Sequence, residues 1–145
     1  MKKNIYWIIS GFLMLLTAFV HTFAGQIDLV KPLLESNLKI QAKSEWMGAW
    51  HTITILIYGT SFYLLKNGFA KSKTDDRVLI YSIGILYCLI SIPFLVSSFY
   101  FKVLAPQWII LLPIGILAII GVRKVSYHNI KIDKKELPDS SVTIA

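Results

Sequence analysis

Two histidines, His21 and His51, stand inside long stretches of sequence that carry no Asp, Glu, Lys or Arg. An ionisable side chain within an apolar helix is costly, so its presence is by default a sign of function. Neutral imidazole binds metal ions and haem iron, and histidine also transfers protons near neutral pH. The pair therefore admits four interpretations: hydrogen bonds between helices, a haem ligand, a non-haem metal site, and proton transfer to a lipophilic substrate.

The apolar stretches are the elements that must position the two histidines. There are four of them, each about 19–24 residues long, which is the length that crosses ~30 Å of hydrocarbon at ~1.5 Å per residue. We therefore predict an all-α membrane protein built as a four-transmembrane-helix bundle. Its spans are expected at about residues 5–24, 46–65, 78–101 and 105–122.

Composition supports this fold class and excludes others. Of the 145 residues, 55% are hydrophobic and only 16% are charged, against roughly 25% charged in an ordinary soluble domain. Apolar helices without a polar face exclude a soluble enzyme, a disordered chain and a nucleic-acid-binding domain. The net charge of +7 arises at the ends of the spans, so we expect the lipid bilayer as partner and no nucleic acid.

Basic residues predict the orientation of the bundle. Eleven of them would lie on one side of the membrane and only four, in the first and third loops, on the other. Because the cytoplasmic side carries the excess of Lys and Arg, both termini are expected in the cytoplasm. Tryptophans favour membrane interfaces, which predicts Trp7 at the inner interface and the other three at the outer one, namely Trp46, Trp50 and Trp108.

The segments outside the spans are short. The first outer loop, about residues 25–45, alternates apolar and charged side chains and predicts a short amphipathic interfacial helix, with Pro32 in its first turn. A tight turn is expected at 102–106. Residues 1–124 would form the transmembrane domain and 125–145 a cytoplasmic tail. A signal peptide cleaved near Ala24 is the alternative for the N-terminus, but the apolar run has the length of a span.

Small and polar residues at helical spacing predict which face of each span is turned inward, since such residues mediate helix association in bilayers. In the first span the predicted stripe is Gly11, Thr17, Ala18, His21 and Gly25, and in the second it is Gly48, His51, Thr54, Tyr58 and Gly59. In the third span it is Tyr81, Gly84, Cys88, Ser91, Leu95 and Ser98, and in the fourth it is Gln107, Leu111, Ile114, Ala118 and Gly121. Each stripe is equally compatible with plain packing.

Depth predicts that the two histidines meet. His21 lies just before the outer end of the first span, and His51 lies just after the outer start of the second. Antiparallel neighbours would place both imidazoles in the outer third of the bilayer. Three polar side chains, Thr17, Thr54 and Tyr58, would complete a ligand-binding site with them. A metal site would also need Asp28 or Glu45, since two histidines and one carboxylate suit open iron or zinc sites.

Three segments carry a family resemblance: HTFAG at 21–25, VKPLL at 30–34 and WHTIT at 50–54. Together with the four spans, they resemble small bacterial four-span integral membrane proteins. The resemblance implies a four-helix membrane fold in the bacterial inner membrane. It implies no substrate, cofactor or catalytic residue.

The sequence thus predicts an integral membrane protein with a histidine-pair site near the outer leaflet. Its ligand would be a haem, a divalent metal or a lipophilic small molecule. The alternative is a structural or accessory membrane subunit in which the histidines only make interhelical hydrogen bonds. Enzymatic activity and oligomeric state both stay open at this stage.

Overall fold

Helices form every regular element of the computed structural model, which describes residues 3–70 and 76–136, with side chains as far as Val125. In chain order they are α1 (Ile5–Gly25), a π-helical turn (Gln26–Val30), α2 (Lys31–Glu35), α3 (Ile40–Phe69), α4 (Arg77–Phe101) and α5 (Gln107–Glu136). The predicted all-helical class is confirmed.

Three helical segments are long and apolar enough to cross a membrane: Ile5–Glu35, Arg77–Phe101 and Gln107–Val125. They correspond to the first, third and fourth predicted spans. The second predicted span lies in α3, whose 30 residues include His51 together with several Thr, Ser and Tyr side chains. These polar groups lower its hydropathy, so the fourth membrane crossing stays a prediction.

The helices pack around α1. It lies between α3 on one side and α5 on the other, and α4 packs against α5. Helices α3 and α4 have little direct contact with each other. A hydrogen bond of 2.7 Å between the hydroxyls of Thr60 and Tyr87 joins them. The core between the four long helices consists of Trp7, Met14, Ala18, Ile57, Leu64, Ile80, Ile83, Tyr87, Leu111, Ile114 and Ala118.

Side-chain hydrogen bonds to helix carbonyls tie α1 to its neighbours. Asn4 caps α1 by accepting hydrogen bonds from the amides of Tyr6 and Trp7, and its Nδ2 donates to the Gly121 carbonyl of α5 at 3.0 Å. The Asn4 amide also donates to the Gly68 carbonyl of α3 at 3.0 Å. This end, where α1 begins, is called the inner end, following the predicted orientation.

The next two turns of α1 continue the same seam with α5. Trp7 Nε1 donates to the Ala118 carbonyl at 3.1 Å, and Ser10 Oγ donates to the Ile114 carbonyl at 2.9 Å. Buried polar groups in an apolar surrounding need such partners. The Trp7 indole is 5% exposed and packs in this seam, not on the outer surface of the bundle. Its predicted level at the inner membrane interface stays a prediction.

Two glycines allow the backbones of α4 and α5 to approach each other closely. A Cβ built on Gly115 would lie 2.6 Å from the Gly84 carbonyl oxygen, and one built on Gly84 would lie 2.9 Å from the Gly115 carbonyl oxygen. Backbone of α4 therefore touches backbone of α5, as small residues permit in membrane helices.

The outer connections differ from prediction in one respect. The first helix does not end near residue 24 but continues through the π-helical turn into α2 and ends at Glu35. Pro32 does lie in the first turn of α2, as predicted. Whether a helix of the first outer loop lies on the membrane surface, as the amphipathic pattern predicts, is not tested by this arrangement and stays a prediction. At the other connection, the left-handed Lys102 (φ 54°) ends α4.

The predicted tail begins as helix, since α5 runs on to Glu136. His128 stands in the part of α5 whose side chains lie outside the description. Residues 71–75 of the basic second loop and residues 137–145 of the tail also lie outside the described residues.

Candidate functional site

His21 meets a tryptophan at the outer end of the bundle. Its imidazole stacks on the Trp50 indole of α3, with ring centroids 3.9 Å apart and planes inclined by 14°. The ring is half-buried, and its Nε2 atom is buried without a hydrogen-bond partner in the part of the chain that the structure describes. The same imidazole also has a hydrogen-bond interaction with the Trp50 backbone, which does not satisfy Nε2.

Gly25 makes room for this tryptophan. A Cβ built on Gly25 would lie 2.6 Å from the Trp50 six-membered ring. His21 and Gly25 are four residues apart on α1 and therefore lie one above the other on its surface. Together they form a shallow depression on α1, and the Trp50 indole packs into it, which joins α1 to α3.

His21 also belongs to the face of α1 that meets α5. Trp7, Ser10, Met14, Thr17 and His21 follow one another at intervals of three and four residues, which places them on one stripe of the helix. The first two members of the stripe bond to α5 carbonyls. His21 thus stands where the α1–α3 and α1–α5 seams converge.

The structure places Trp50, not His51, against His21. The buried face of α3 runs through Ile57, Ser61 and Leu64. The same face contains Thr54 one turn further out and Trp50 two turns further out. His51 is exposed, on the stripe of Ile55 and Phe62, because adjacent helix positions point about 100° apart. The predicted stripe of α3 was therefore out of phase by one residue.

The other predicted ligand-binding residues lie close to this junction but are engaged locally. The hydroxyls of Thr17 and Thr54 donate to the carbonyls four residues earlier, Leu13 and Trp50 respectively. Tyr58 is half-buried, and its hydroxyl accepts a long 3.5 Å hydrogen bond from Thr22. Thr54 and Tyr58 lie on α3, whereas Thr17 belongs to the stripe of α1 that meets α5; each retains further hydrogen-bonding capacity.

The proposed metal set is not brought together. Asp28, Glu45 and His51 are all exposed, and Glu45 accepts a hydrogen bond from Gln41 at 2.7 Å. Within residues 3–70 and 76–125, no group of three His, Cys, Asp or Glu side chains could hold a metal ion. The reason lies in the helix phase, since His51 points away from the seam that contains His21.

Two polar residues of α5 were not chosen as site residues from the sequence. The Gln107 Oε1 and Trp108 Nε1 atoms are buried and, like His21 Nε2, have no hydrogen-bond partner among the described residues. The sequence did signal them: Gln107 begins the predicted inward stripe of the fourth span, and Trp108 is an outer tryptophan. The sequence could not indicate that the Gln107 Oε1 and Trp108 Nε1 atoms are buried in the folded chain.

Comparison with protein-family models, curated proteins and solved structures gives no match. The resemblance to small bacterial membrane proteins therefore stays a prediction. The function of this chain has to be argued from the chemistry of its own side chains.

Proposed function

We propose that this chain is a four-span integral membrane protein of the bacterial inner membrane that binds a lipophilic small molecule at its outer end. Both termini lie in the cytoplasm in this proposal. His21 supplies the central polar group of the site, Trp50 forms one wall, and Thr17, Thr54 and Tyr58 lie around it. His51 lies at the rim, on the exposed side of α3.

Pairing between α3 and α1 supports the fourth crossing. The Gly68 carbonyl of α3 meets Asn4 at the start of α1, and Trp50 meets Gly25 at its end. The two helices are therefore antiparallel neighbours over the whole apolar length of α1, which is 21 residues. A helix that lines a membrane span from end to end occupies the same hydrocarbon layer, about 30 Å thick.

One observation carries the binding proposal: the buried Nε2 of His21 has no hydrogen-bond partner among the residues that the structure describes. Burying a polar group without a hydrogen bond costs about 1–3 kcal/mol in proteins. The interhelical contacts of His21 are the ring stack on Trp50 and an interaction with the Trp50 backbone, and neither of them satisfies Nε2. A bound molecule with a hydrogen-bonding group would supply what the helices do not.

The structural alternative retains two favourable observations, because the His21–Trp50 stack and the interaction of the imidazole with the Trp50 backbone both join α1 to α3. An aromatic pair contributes about 0.5–1.5 kcal/mol beyond the area it buries. A haem or a divalent metal is less well supported than a small molecule, since the second histidine and both candidate carboxylates lie on exposed surface.

The test is a comparison of what the protein retains on purification. Wild type, His21→Ala and His51→Ala are isolated in polymer discs that keep native lipid, and the extracts are quantified by mass spectrometry per mole of chain. We expect one apolar compound to be retained near stoichiometry by wild type and His51→Ala. His21→Ala should lose it by at least about tenfold.

Metal content is measured on the same samples. Identical extracts from all three proteins would overturn the binding proposal and leave the structural role. Stoichiometric iron or zinc that is lost only in His21→Ala would replace the small molecule by a metal or haem. Circular dichroism and gel filtration establish that each variant remains folded.

A further inference from the structure

A lysine at the start of α1 meets a phenylalanine at the end of α3, at the inner end of the bundle. The Asn4 amide donates to the Gly68 carbonyl at 3.0 Å. This hydrogen bond brings together the next residues on either side, Lys3 and Phe69. The Lys3 Nζ atom lies 5.4 Å from the centroid of the Phe69 ring, which is within the range of a cation–π contact.

The Phe69 ring extends this contact toward the apolar part of α1. It meets the Phe12 ring edge to face, with centroids 6.4 Å apart and planes inclined by 88°. Phe12 lies about two helical turns further along α1 than Asn4. The bundle covers neither ring, since Phe12 is 53% exposed and Phe69 is 45% exposed. Phe69 therefore connects the level of the Lys3 ammonium group with the apolar surface of α1.

A second lysine lies beside the same ring. Lys66 precedes Phe69 by three residues in α3, and residues at this spacing are neighbours on a helix surface. The side chains of Lys3 and Lys66 are both exposed. Neither ammonium group makes an ion pair within residues 3–70 and 76–125. We call the four residues Lys3, Phe12, Lys66 and Phe69 the lysine–phenylalanine surface.

This surface is turned away from α4 and α5. In α1, Phe12 is two residues from Ser10, so the two side chains point about 200° apart, and Ser10 bonds to α5. In α3, Phe69 follows Thr60 by about two and a half turns and lies on the opposite side of the helix. The Thr60 hydroxyl bonds to Tyr87 of α4. The lysine–phenylalanine surface therefore lies along the outside of the α1–α3 pair, where a membrane lipid can reach it.

We infer that the lysine–phenylalanine surface binds an anionic phospholipid, such as phosphatidylglycerol. The Lys3 and Lys66 ammonium groups bind the phosphate at the level of the headgroups, and an acyl chain follows Phe69 and Phe12 into the hydrocarbon. The surface lies at the opposite end of α1 from His21. The inference goes beyond the proposed function and is independent of it.

Charge complementarity selects this occupant. An ammonium group donates hydrogen bonds and accepts none, so two lysines without a counter-charge match a negatively charged acceptor such as a phosphate. A second copy of the chain would fit less well. The commonest symmetric contact places the same patch of both subunits together, which would bring lysines against lysines.

The carboxylate of the inner end is engaged elsewhere. Among the described side chains of this end, Asp76 at the start of α4 is the one acid, and it interacts with the Tyr63 hydroxyl. Tyr63 follows Thr60 by three residues and therefore shares the α4-facing side of α3. Asp76 thus lies on the side of α3 that faces α4, whereas Phe69 lies on the other side.

Photo-cross-linking tests this inference. The protein is reconstituted in phosphatidylcholine nanodiscs that contain a small fraction of phosphatidylglycerol with a diazirine in its acyl chain, and cross-linked residues are located by mass spectrometry. The comparison lipid is phosphatidylcholine with the same diazirine. We expect phosphatidylglycerol to label the segments around Phe12 and Phe69 at least about fivefold more strongly, because one lysine near an anionic lipid contributes about that factor.

Substitutions separate a site from the general positive charge of the inner end. Lys3→Gln and Lys66→Gln should each lower the labelling at Phe12 about fivefold, and Lys3→Arg should retain it. Arg123→Gln is the matched control, since it removes one exposed positive charge from the same end. Arg123 belongs to α5, on the other side of α1, so this variant should label Phe12 within about twofold of wild type. Gel filtration establishes that each variant remains folded.

Four results would overturn the inference. Equal labelling by the two lipids would remove the headgroup preference, and equal losses in Lys3→Gln and Arg123→Gln would replace the site by general charge attraction. No labelling of Phe12 by either lipid would mean that protein, such as a second copy, covers the surface. Displacement of the lipid by water-soluble glycerol phosphate would show an anion site without a lipid. A compound retained through His21 would uphold the proposed function in every case.

Discussion

The imidazole of His21 and the indole of Trp50 lie face to face, with centroids 3.9 Å apart. This contact gives His21 two separable properties, a flat ring that packs against α3 and a nitrogen that no described residue binds. Phenylalanine retains the first property and lacks the second. The two roles of this residue can therefore be measured independently.

His21→Phe should retain bundle stability and lose ligand, whereas His21→Ala should lose both. The expected destabilisation of His21→Ala is about 0.5–1.5 kcal/mol, the contribution of an aromatic pair. Unfolding in mixed micelles, followed by circular dichroism, gives the stability, and the retained compound is quantified on the same preparations. His51→Ala is the control, and its exposed ring predicts no change in stability. Equal ligand retention by His21→Phe and wild type would contradict a role for the nitrogen.

The α4–α5 contact makes a second prediction. Gly115→Ala should destabilise the bundle by about 1–3 kcal/mol, the usual cost of overpacking, because the added Cβ would lie 2.6 Å from a backbone oxygen. Gly59→Ala is the matched control, since nothing lies within 4 Å of its Cβ position. It should be neutral or stabilise α3 by up to about 1 kcal/mol through helix propensity. A tolerated Gly115→Ala would show that the helices can separate at no cost.

Sequence patterns predicted α5 and α1 better than α3. In α5, the predicted residues Leu111, Ile114, Ala118 and Gly121 are all buried, and in α1 both Gly11 and Ala18 are buried. The reason is that small residues in these helices do lie where backbones approach. Gly11, for example, faces the Leu65 side chain at 2.8 Å from its Cβ position.

The phase of α3 could not be read in the same way. Gly48 and Gly59 suggested a face that contains His51, yet nothing lies within 4 Å of a Cβ on either glycine. In a membrane helix, apolar side chains cover both the lipid-facing side and the core-facing side. The hydrophobic pattern therefore does not indicate which side faces the core. The buried face through Ile57 and Leu64 is fixed by tertiary packing, which is why the sequence predicted His51 where the structure has Trp50.

Asn4 makes a third prediction, at the inner end. Asn4→Ala should lower stability by about 1–2 kcal/mol, because it removes an N-cap and the hydrogen bond to the Gly121 carbonyl. Asn4→Asp keeps the capping oxygen but has no Nδ2 donor, so its loss should be smaller. Thermal unfolding in one detergent compares the three proteins. Equal losses in both variants would mean that the interhelical bond, and not the cap, carries the stabilisation.

The last prediction concerns α3 as a membrane crossing. In a Cys88→Ser background, single cysteines are introduced at Asn37, Ala70 and Val103, which lie in the three connections between long helices. An impermeant maleimide applied to intact cells should label positions 37 and 103, and position 70 only after lysis. If α3 does not cross, positions 37 and 70 lie on one side and 103 on the other, because the remaining helices still reverse direction.

That pattern would contradict the four-span proposal directly. Labelling of position 70 alone in intact cells would instead invert the orientation predicted from the basic residues. It would place His21 in the cytoplasmic leaflet and leave the register of α1 against α5 unchanged, since that register depends only on the hydrogen bonds between these helices. The three labelling positions therefore test the depth of the site separately from its chemistry.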